Sequence, residues 1–423
     1  MDRTIAPKVK VSEDFNYVKV KSEQLDNDIP LYYIDQPEMD VIKLECIFKG
    51  GMSTQKKPLL AKAVAELLKE GTATYSSEQI AAQIEAKGAF LDTTAKADYL
   101  SITLYALADQ LIHLLPTLRS IITEASFPEE ELQDFIDNGK QKFAVNNEKV
   151  SFLAKNEFMQ QLFGENHPYN DKLALEDFDS INRADLQDYY ADYIQNKSFS
   201  VMLSGKVGED EKYILNQHFG SLDLTTSKSE GMDFKPLENP NKRVKVEKKG
   251  ASQAALRLGK LSIGKQHEDF PALFFLNTLF GGFFGSRLMT NIREEKGYTY
   301  GIGSGLMSLN EAAYFFISSE IGANYVEETL AEIQKEMQRL SEELITEEEL
   351  NLVKRYLQGS LMRSFDGPFS AMDRYKSLYL LGLDYNYYDH LWSEFSRMTA
   401  EKLQTTAKKY MRFDDLSIII AGA

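Results

Sequence analysis

The sequence predicts an α+β protein built from one domain used twice, each copy an antiparallel or mixed sheet with helices packed on one face. Three observations carry that prediction. The chain has 423 residues, whereas a single hydrophobic core stops growing at about 250–300 residues, so two domains are expected. The two halves resemble each other at a nearly constant offset. Strand-like and helix-like segments also come in the same order in both.

The division between the halves falls where periodicity fails. Residues 223–243 (DLTTSKSEGMDFKPLENPNKR) replace apolar spacing with Ser, Thr, Pro, Asn and charge, the composition of a linker. The domains are therefore expected at 1–222 and 244–423. Across that linker FPEEELQDFIDNGKQKF (127–143) parallels ITEEELNLVKRYLQGSL (345–361), with Leu132 falling on Leu350 at an offset of 218. The same offset carries Gly164 onto Gly382, and one of 217 carries Leu186 onto Leu403 and Gly205 onto Gly422.

Within the first half, VIKLECIFKGG (41–51) and YLSITLYAL (99–107) have the apolar and β-branched enrichment of strands. LLAKAVAELLKEG (59–71), SEQIAAQIEAKG (77–88) and EEELQDFIDNGKQKFAV (129–145) have helical spacing. In the second half YVEETLAEIQKEMQRLSEEL (325–344) repeats apolar residues every three or four positions, with acids early and bases later to suit a helix dipole.

Composition narrows the function. With 43% hydrophobic and 26% charged residues the chain is globular rather than disordered. Its 48 basic and 64 acidic side chains leave a net charge of −16, which argues against a general nucleic-acid binder and against an anionic membrane surface. The single cysteine, Cys46, excludes an internal disulfide and reads as a small buried hydrophobe in a strand. The start, MDRTIAPKVKVSEDF, has no apolar h-region, and no apolar run reaches the ~18 residues of a membrane span, so a cytoplasmic protein is expected.

Two segments resemble a known family. LLAKAVAELLKEGT, ending in Gly71-Thr72 and followed by SSEQIAAQIEAKGAFLDTTAKADYLSITL, resembles the first-domain segment of the pitrilysin, insulin-degrading and mitochondrial processing peptidases. In those zinc enzymes, called inverzincins, an HxxEH helix ends in Gly-Thr and leads to a helix, a glycine and an edge strand. FGGFFGSRLMTNIREEKGYTYGIGSGL (280–306) resembles the second-domain segment that holds the family's Arg and Tyr pair.

The resemblance implies a metal site that this chain has lost. The family chemistry needs two His at i and i+4 facing one zinc, a Glu at i+3 as general base, and a distant third ligand. Counted from Gly71-Thr72, the first His position is Lys62, the Glu is Ala65, the second His is Glu66, and the third ligand is Lys142. A protonated lysine has no lone pair to offer a cation. His113, His167, His218, His267 and His390 stand singly, with no pair at ligand spacing. The helix keeps its packing stripe of Leu59, Leu60, Ala63, Val64, Leu67 and Leu68, with Lys62, Glu66 and Lys69 on a polar face. A Lys62–Glu66 pair at i,i+4 contributes about 0.3 kcal/mol.

In IREEKGYTY, Arg293 precedes Tyr300 by seven residues, and the preceding SRL, the Arg-Glu and Gly297 match the family pattern. A guanidinium fork and a phenol would orient a peptide carbonyl and stabilise developing charge. The structural alternative is Arg293 paired with Glu294 or Glu295 and Tyr300 in a strand core. Gly281 and Gly282, in FGGFFG, are candidate substrate contacts or a tight turn with close backbone packing. Residues 88–104 resemble the strand edge to which such peptidases add an extended substrate, or form an ordinary hairpin.

The resemblance thus implies a noncatalytic subunit, holding no metal itself, which binds unfolded peptides in a chamber shared with a homologous HxxEH subunit that carries the zinc. The alternatives are a catalytically dead homodimeric peptide binder or scaffold, and a zinc peptidase with unorthodox ligands.

Overall fold

The computed structural model describes residues 15–227 and 242–422; most of the expected linker, 228–241, and the first fourteen residues lie outside the described residues. The first half runs β1 (Lys21–Gln24), β2 (Pro30–Asp35), β3 (Val41–Lys49), α1 (Leu60–Leu67), α2 (Ser77–Glu85), β4 (Phe90–Ala95) and β5 (Tyr99–Leu107). It continues with α3 (Leu111–Glu124), α4 (Glu129–Asn147), α5 (Val150–Phe163), α6 (Asp177–Ser180), α7 (Arg183–Tyr193), β6 (Phe199–Gly205) and α8 (Glu209–Phe219). The second half runs β7 (Arg243–Val246), β8 (Gln253–Leu261), α9 (Phe270–Asn277), β9 (Thr299–Ser308), β10 (Ala313–Gly322) and α10 (Val326–Glu342). It closes with α11 (Glu347–Arg363), α12 (Gly367–Tyr379), α13 (Asn386–Arg397), α14 (Ala400–Tyr410) and β11 (Ser417–Ala421).

The two sheets have one topology. The first is ordered β1-β2-β6-β3-β5-β4 and the second β7-β11-β8-β10-β9, so β1 alone has no counterpart. In each, one parallel pair, β2 with β6 or β7 with β11, sits beside antiparallel ladders. The sequence anchors of the duplication have a physical basis here. Gly164 and Gly382 end α5 and α12 at φ +86° and +66°, and Gly205 and Gly422 follow at φ +112° and +94°, all in the left-handed region that favours glycine. A Cβ on Gly205 would strike the carbonyl of Val41, and one on Gly422 that of Gln253, the first residues of the matching strands β3 and β8.

Local chemistry sets the helix starts. Ser76 with Gln79, Asn182 with Asp185, and Thr346 with Glu349 each form a reciprocal capping box before α2, α7 and α11. The ends of the expected linker are tied down. Thr225 exchanges backbone bonds with Asn196 and Ser198 of the first half, and Arg243 opens β7 of the second, so the linker is shorter at both ends than 223–243.

Helices of each half cover one face of its own sheet, as expected, but the opposite face is not left to solvent. Helix α5 of the first half packs on β8 and β11, and its repeat α12 packs on β2 and β6. Each half roofs the other's sheet with the same helix, related by the pseudo-twofold symmetry of the repeat. This is why β3 is buried along nearly its whole length, Cys46 included, rather than on alternate residues. Burial holds the Cys46 thiol well above its usual range, so it stays an inert, protonated side chain. Among the described residues no helix is long and apolar enough to cross a membrane.

Candidate functional site

The residues at the expected ligand positions come together in space. Lys62 and Glu66 on α1 and Lys142 on α4 line one cavity of about 380 Å³, together with Glu131, Asp134 and Asn138 of α4. The helical periods explain the meeting: 62 and 66 are one turn apart on α1, while 131, 134, 138 and 142 form one stripe along α4. The Lys62 ammonium stands 3.7 Å from Glu66 Oε1, both side chains about half exposed. Ala65 is 1% exposed and belongs to the core. Leu59, just ahead of α1, is held at φ +68°, an uncommon conformation for a leucine, at the cavity's rim.

These residues do not fit a zinc ion. At the three expected ligand positions two ammoniums oppose a cation and Glu66 is the one carboxylate, and the methyl group of Ala65 stands at the position expected for the general base. Among the described residues no group of three His, Cys, Asp or Glu side chains is placed to hold a metal. What the cavity offers is mixed charge. Burial, then Glu70, Asp134 and Glu130, hold the Glu131 carboxyl above the usual carboxylate range.

A second cavity of about 690 Å³ adjoins the first and shares Leu59, Lys62, Phe152 and Leu173 with it. His167 lines it, accepting a bond at Nδ1 from the Tyr169 backbone N–H at 3.1 Å. Burial lowers the His167 pKa, so the imidazole stays neutral. It is a satisfied, buried side chain.

The second-half motif is displayed rather than buried. A π-helical segment, Met289–Glu295, carries Arg293, and Gly297 at φ +68° stops it so that β9 can begin. Arg287 of SRL makes a two-point ion pair with Glu349 of α11 at 2.9 and 3.0 Å, which pins the segment to the helix layer. The Arg293 guanidinium lies 4.7 Å over the Phe284 ring and 3.9 Å from Glu294, so half of the structural alternative is present. The other half is not: Tyr300 is 93% exposed and lies in no core. The described contacts include none between Arg293 and Tyr300.

Gly281 and Gly282 end a π-helical turn, Thr278–Gly282. Gly281 is buried, and a Cβ there would meet the Ser304 backbone nitrogen at 2.8 Å. It is a close-packing residue against β9, its surface already taken by the protein. Residues 90–95 form the edge strand β4, paired with β5, at one end of the first sheet.

Sequence reasoning missed Arg257. It lies on β8, in a cavity of about 460 Å³ lined also by Ser151, Ala154, Tyr300, Ser318 and Glu320. Helix α5 is the wall between this cavity and the one around Lys62, for Phe152 and Lys155 face the latter and Ser151 and Ala154 the former. The available signal was a charge inside the apolar stretch AALRLG (254–259) of that strand.

Residues 180–357 match the family model described as "Peptidase M16 inactive domain". The chain is 26% identical to the "Uncharacterized zinc protease YmxG" of Bacillus subtilis over 352 residues, 82% of this chain and 84% of that one. It is 24% identical to the "Non-peptidase homolog YmxG" of Helicobacter pylori over 401 residues, 93% of this chain and 92% of that protein. The crystal structure of a peptidase M16 inactive domain from Pseudomonas fluorescens superposes with a TM-score of 0.86 at 24% identity, covering 96% of this chain and 98% of that one. That last likeness establishes the fold.

Proposed function

We propose that this chain, whose residues 180–357 match the family model described as "Peptidase M16 inactive domain", serves as the noncatalytic subunit of a heterodimeric zinc metallopeptidase. It binds unfolded peptide in a chamber shared with a homologous HxxEH subunit and orients it for that partner's zinc. The observation that carries this reading is the single cavity where Lys62, Glu66 and Lys142 meet with Ala65 buried behind them. On this reading a site of ligand type has kept its architecture and carries ammoniums at two of its three donor positions, which removes catalysis in this chain and leaves the fold able to bind.

Arg293 and Tyr300 act on the substrate at the partner's zinc. Arg293 keeps a rigid fork of donors with only a long pair to Glu294, and Tyr300 projects into solvent. Either can meet a peptide carbonyl and stabilise charge developing there, provided the partner's zinc stands opposite. The test is Arg293→Ala in the reconstituted pair. Peptide kcat/KM falls about a hundredfold, the usual effect of removing one donor to a developing oxyanion, with the partner's zinc content unchanged. Unchanged turnover contradicts the role.

A further inference from the structure

The side chain of Arg257 makes no hydrogen bond or ion pair among the described residues, and its Nε is buried without a partner. Arg243, Arg287 and Arg339, by contrast, find carboxylates. The guanidinium is instead held between aromatic rings, 4.3 Å from the Phe316 centroid and 5.5 Å from that of Phe158. Stacking engages the faces of a guanidinium and leaves its in-plane N–H donors free. Burial works against its charge and lowers its pKa, which a bound anion would reverse.

We propose that the cavity over Arg257 binds a carboxylate of an extended peptide, held by the in-plane fork of that guanidinium. The inference rests on the peptide-binding reading above and names the group recognised. Access comes from the sheet's open edge. Arg257 stands opposite Ser318, which stands opposite Gly303 on the edge strand β9, so the row from guanidinium to edge carries only one hydroxyl. A side chain added at Gly301, beside the exposed Tyr300, would meet nothing within 4 Å.

The ligand chemistry follows from the other charge in the cavity. Glu320 lines it too, without pairing with Arg257. A fixed carboxylate there repels a doubly charged anion such as phosphate but tolerates a monocarboxylate, and its oxygens are free to accept the peptide's own N–H groups. The carboxylate is supplied by the peptide's C-terminus or by an Asp or Glu side chain.

The test uses the purified chain and five probes: an N-acetylated hexapeptide as free acid, the same peptide as amide, an amide-capped peptide with one internal Glu, N-acetylglycine and inorganic phosphate. Binding is followed by the NMR signal of the Arg257 Nε–H, assigned by its loss in Arg257→Lys. The free acid is expected to bind about 10- to 100-fold tighter than the amide, the range for a charge-assisted bond, and to shift that signal. Arg257→Gln removes the preference while leaving the thermal melt in place, and Arg257→Lys keeps part of it. An amide-capped peptide with one internal Glu that recovers the affinity assigns the carboxylate to a side chain; one that does not assigns it to the C-terminus. Equal binding of acid and amide with no shift overturns the carboxylate site and leaves the peptide reading standing. If neither hexapeptide binds but N-acetylglycine shifts the signal, the carboxylate site stands and the peptide reading falls. An equal shift with inorganic phosphate overturns the selectivity assigned to Glu320.

Discussion

Replacing Glu45 with glutamine should loosen the two halves by about 3–5 kcal/mol, the cost of breaking a buried ion pair from one side. Glu45 and Lys43 lie on β3 of the first sheet, only 2% and 5% exposed, and face α12 from the second half. Lys376 Nζ bonds both Glu45 oxygens at 2.9 Å, and Lys43 Nζ bonds Asp373 at 2.7 Å. Cross pairs at 3.9 and 3.3 Å close a neutral ring of four charges. Burial disfavours the Lys376 charge, yet Glu45 overrides it and raises the pKa. Its contribution is therefore complete below the ordinary lysine range and lost only at higher alkaline pH.

Glu45→Gln leaves two ammoniums sharing Asp373, which is nearly half exposed, so water absorbs part of the loss and the lower end of the range is expected. Lys376→Met costs a similar amount, and the double variant costs much less than the sum, because no uncompensated charge remains. Asp373→Asn, at the wet side of the ring, costs under about 1 kcal/mol. Urea melts read these values twice, by circular dichroism for the whole chain and by the fluorescence of Trp392, the one tryptophan, for the second half. The halves melt together in the native protein because each sheet is roofed by the other's helix. If Glu45→Gln lies within 0.5 kcal/mol of the parent, or Asp373→Asn costs as much, the ring does not hold the halves.

Two further outcomes are expected. The triple variant Lys62→His, Glu66→His, Lys142→Glu should take up one zinc per chain by metal analysis after dialysis, since those positions share one cavity. It should remain without peptidase activity while Ala65 holds the base's place, and uptake no greater than that of the parent means the ligand positions are misassigned. Acid should weaken the second half through Glu349: burial raises its pKa, but Arg287 more than offsets this and the net shift is downward. Stability from that pair is present above the ordinary glutamate pKa of about 4.3 and lost as pH falls through the lower folded value. Arg287→Met should flatten that acid limb in pH-dependent melts; an unchanged limb assigns the loss elsewhere.

Much of the fold was legible because its signals are local. The duplication shows in Gly164, Gly205, Gly382 and Gly422, whose positive φ angles make glycine the favoured residue at each site. The α1 stripe shows because Lys62 and Glu66 alone break an apolar helix. The exchange of α5 and α12 between the halves was not legible. Helix α5 (VSFLAKNEFMQQLF) buries residues all round, and no periodicity says which sheet an apolar surface will cover. Spacing brings Lys62 and Glu66 to one face of α1, but the burial of Ala65 beside exposed Glu66 is a tertiary fact. Arg257 was passed over because a lone arginine in a strand ordinarily points to solvent; the rings of Phe158 and Phe316 that hold it come from a helix of the other half and a strand more than fifty residues away.

The most direct test of the central claim is to purify the native chain with whatever stays bound to it, separate the components, and measure zinc in each. The account expects a homologous HxxEH subunit holding stoichiometric zinc, none in this chain, and peptide turnover only when the two are recombined. Zinc bound to this chain in equal amount, or turnover by this chain alone, would contradict it.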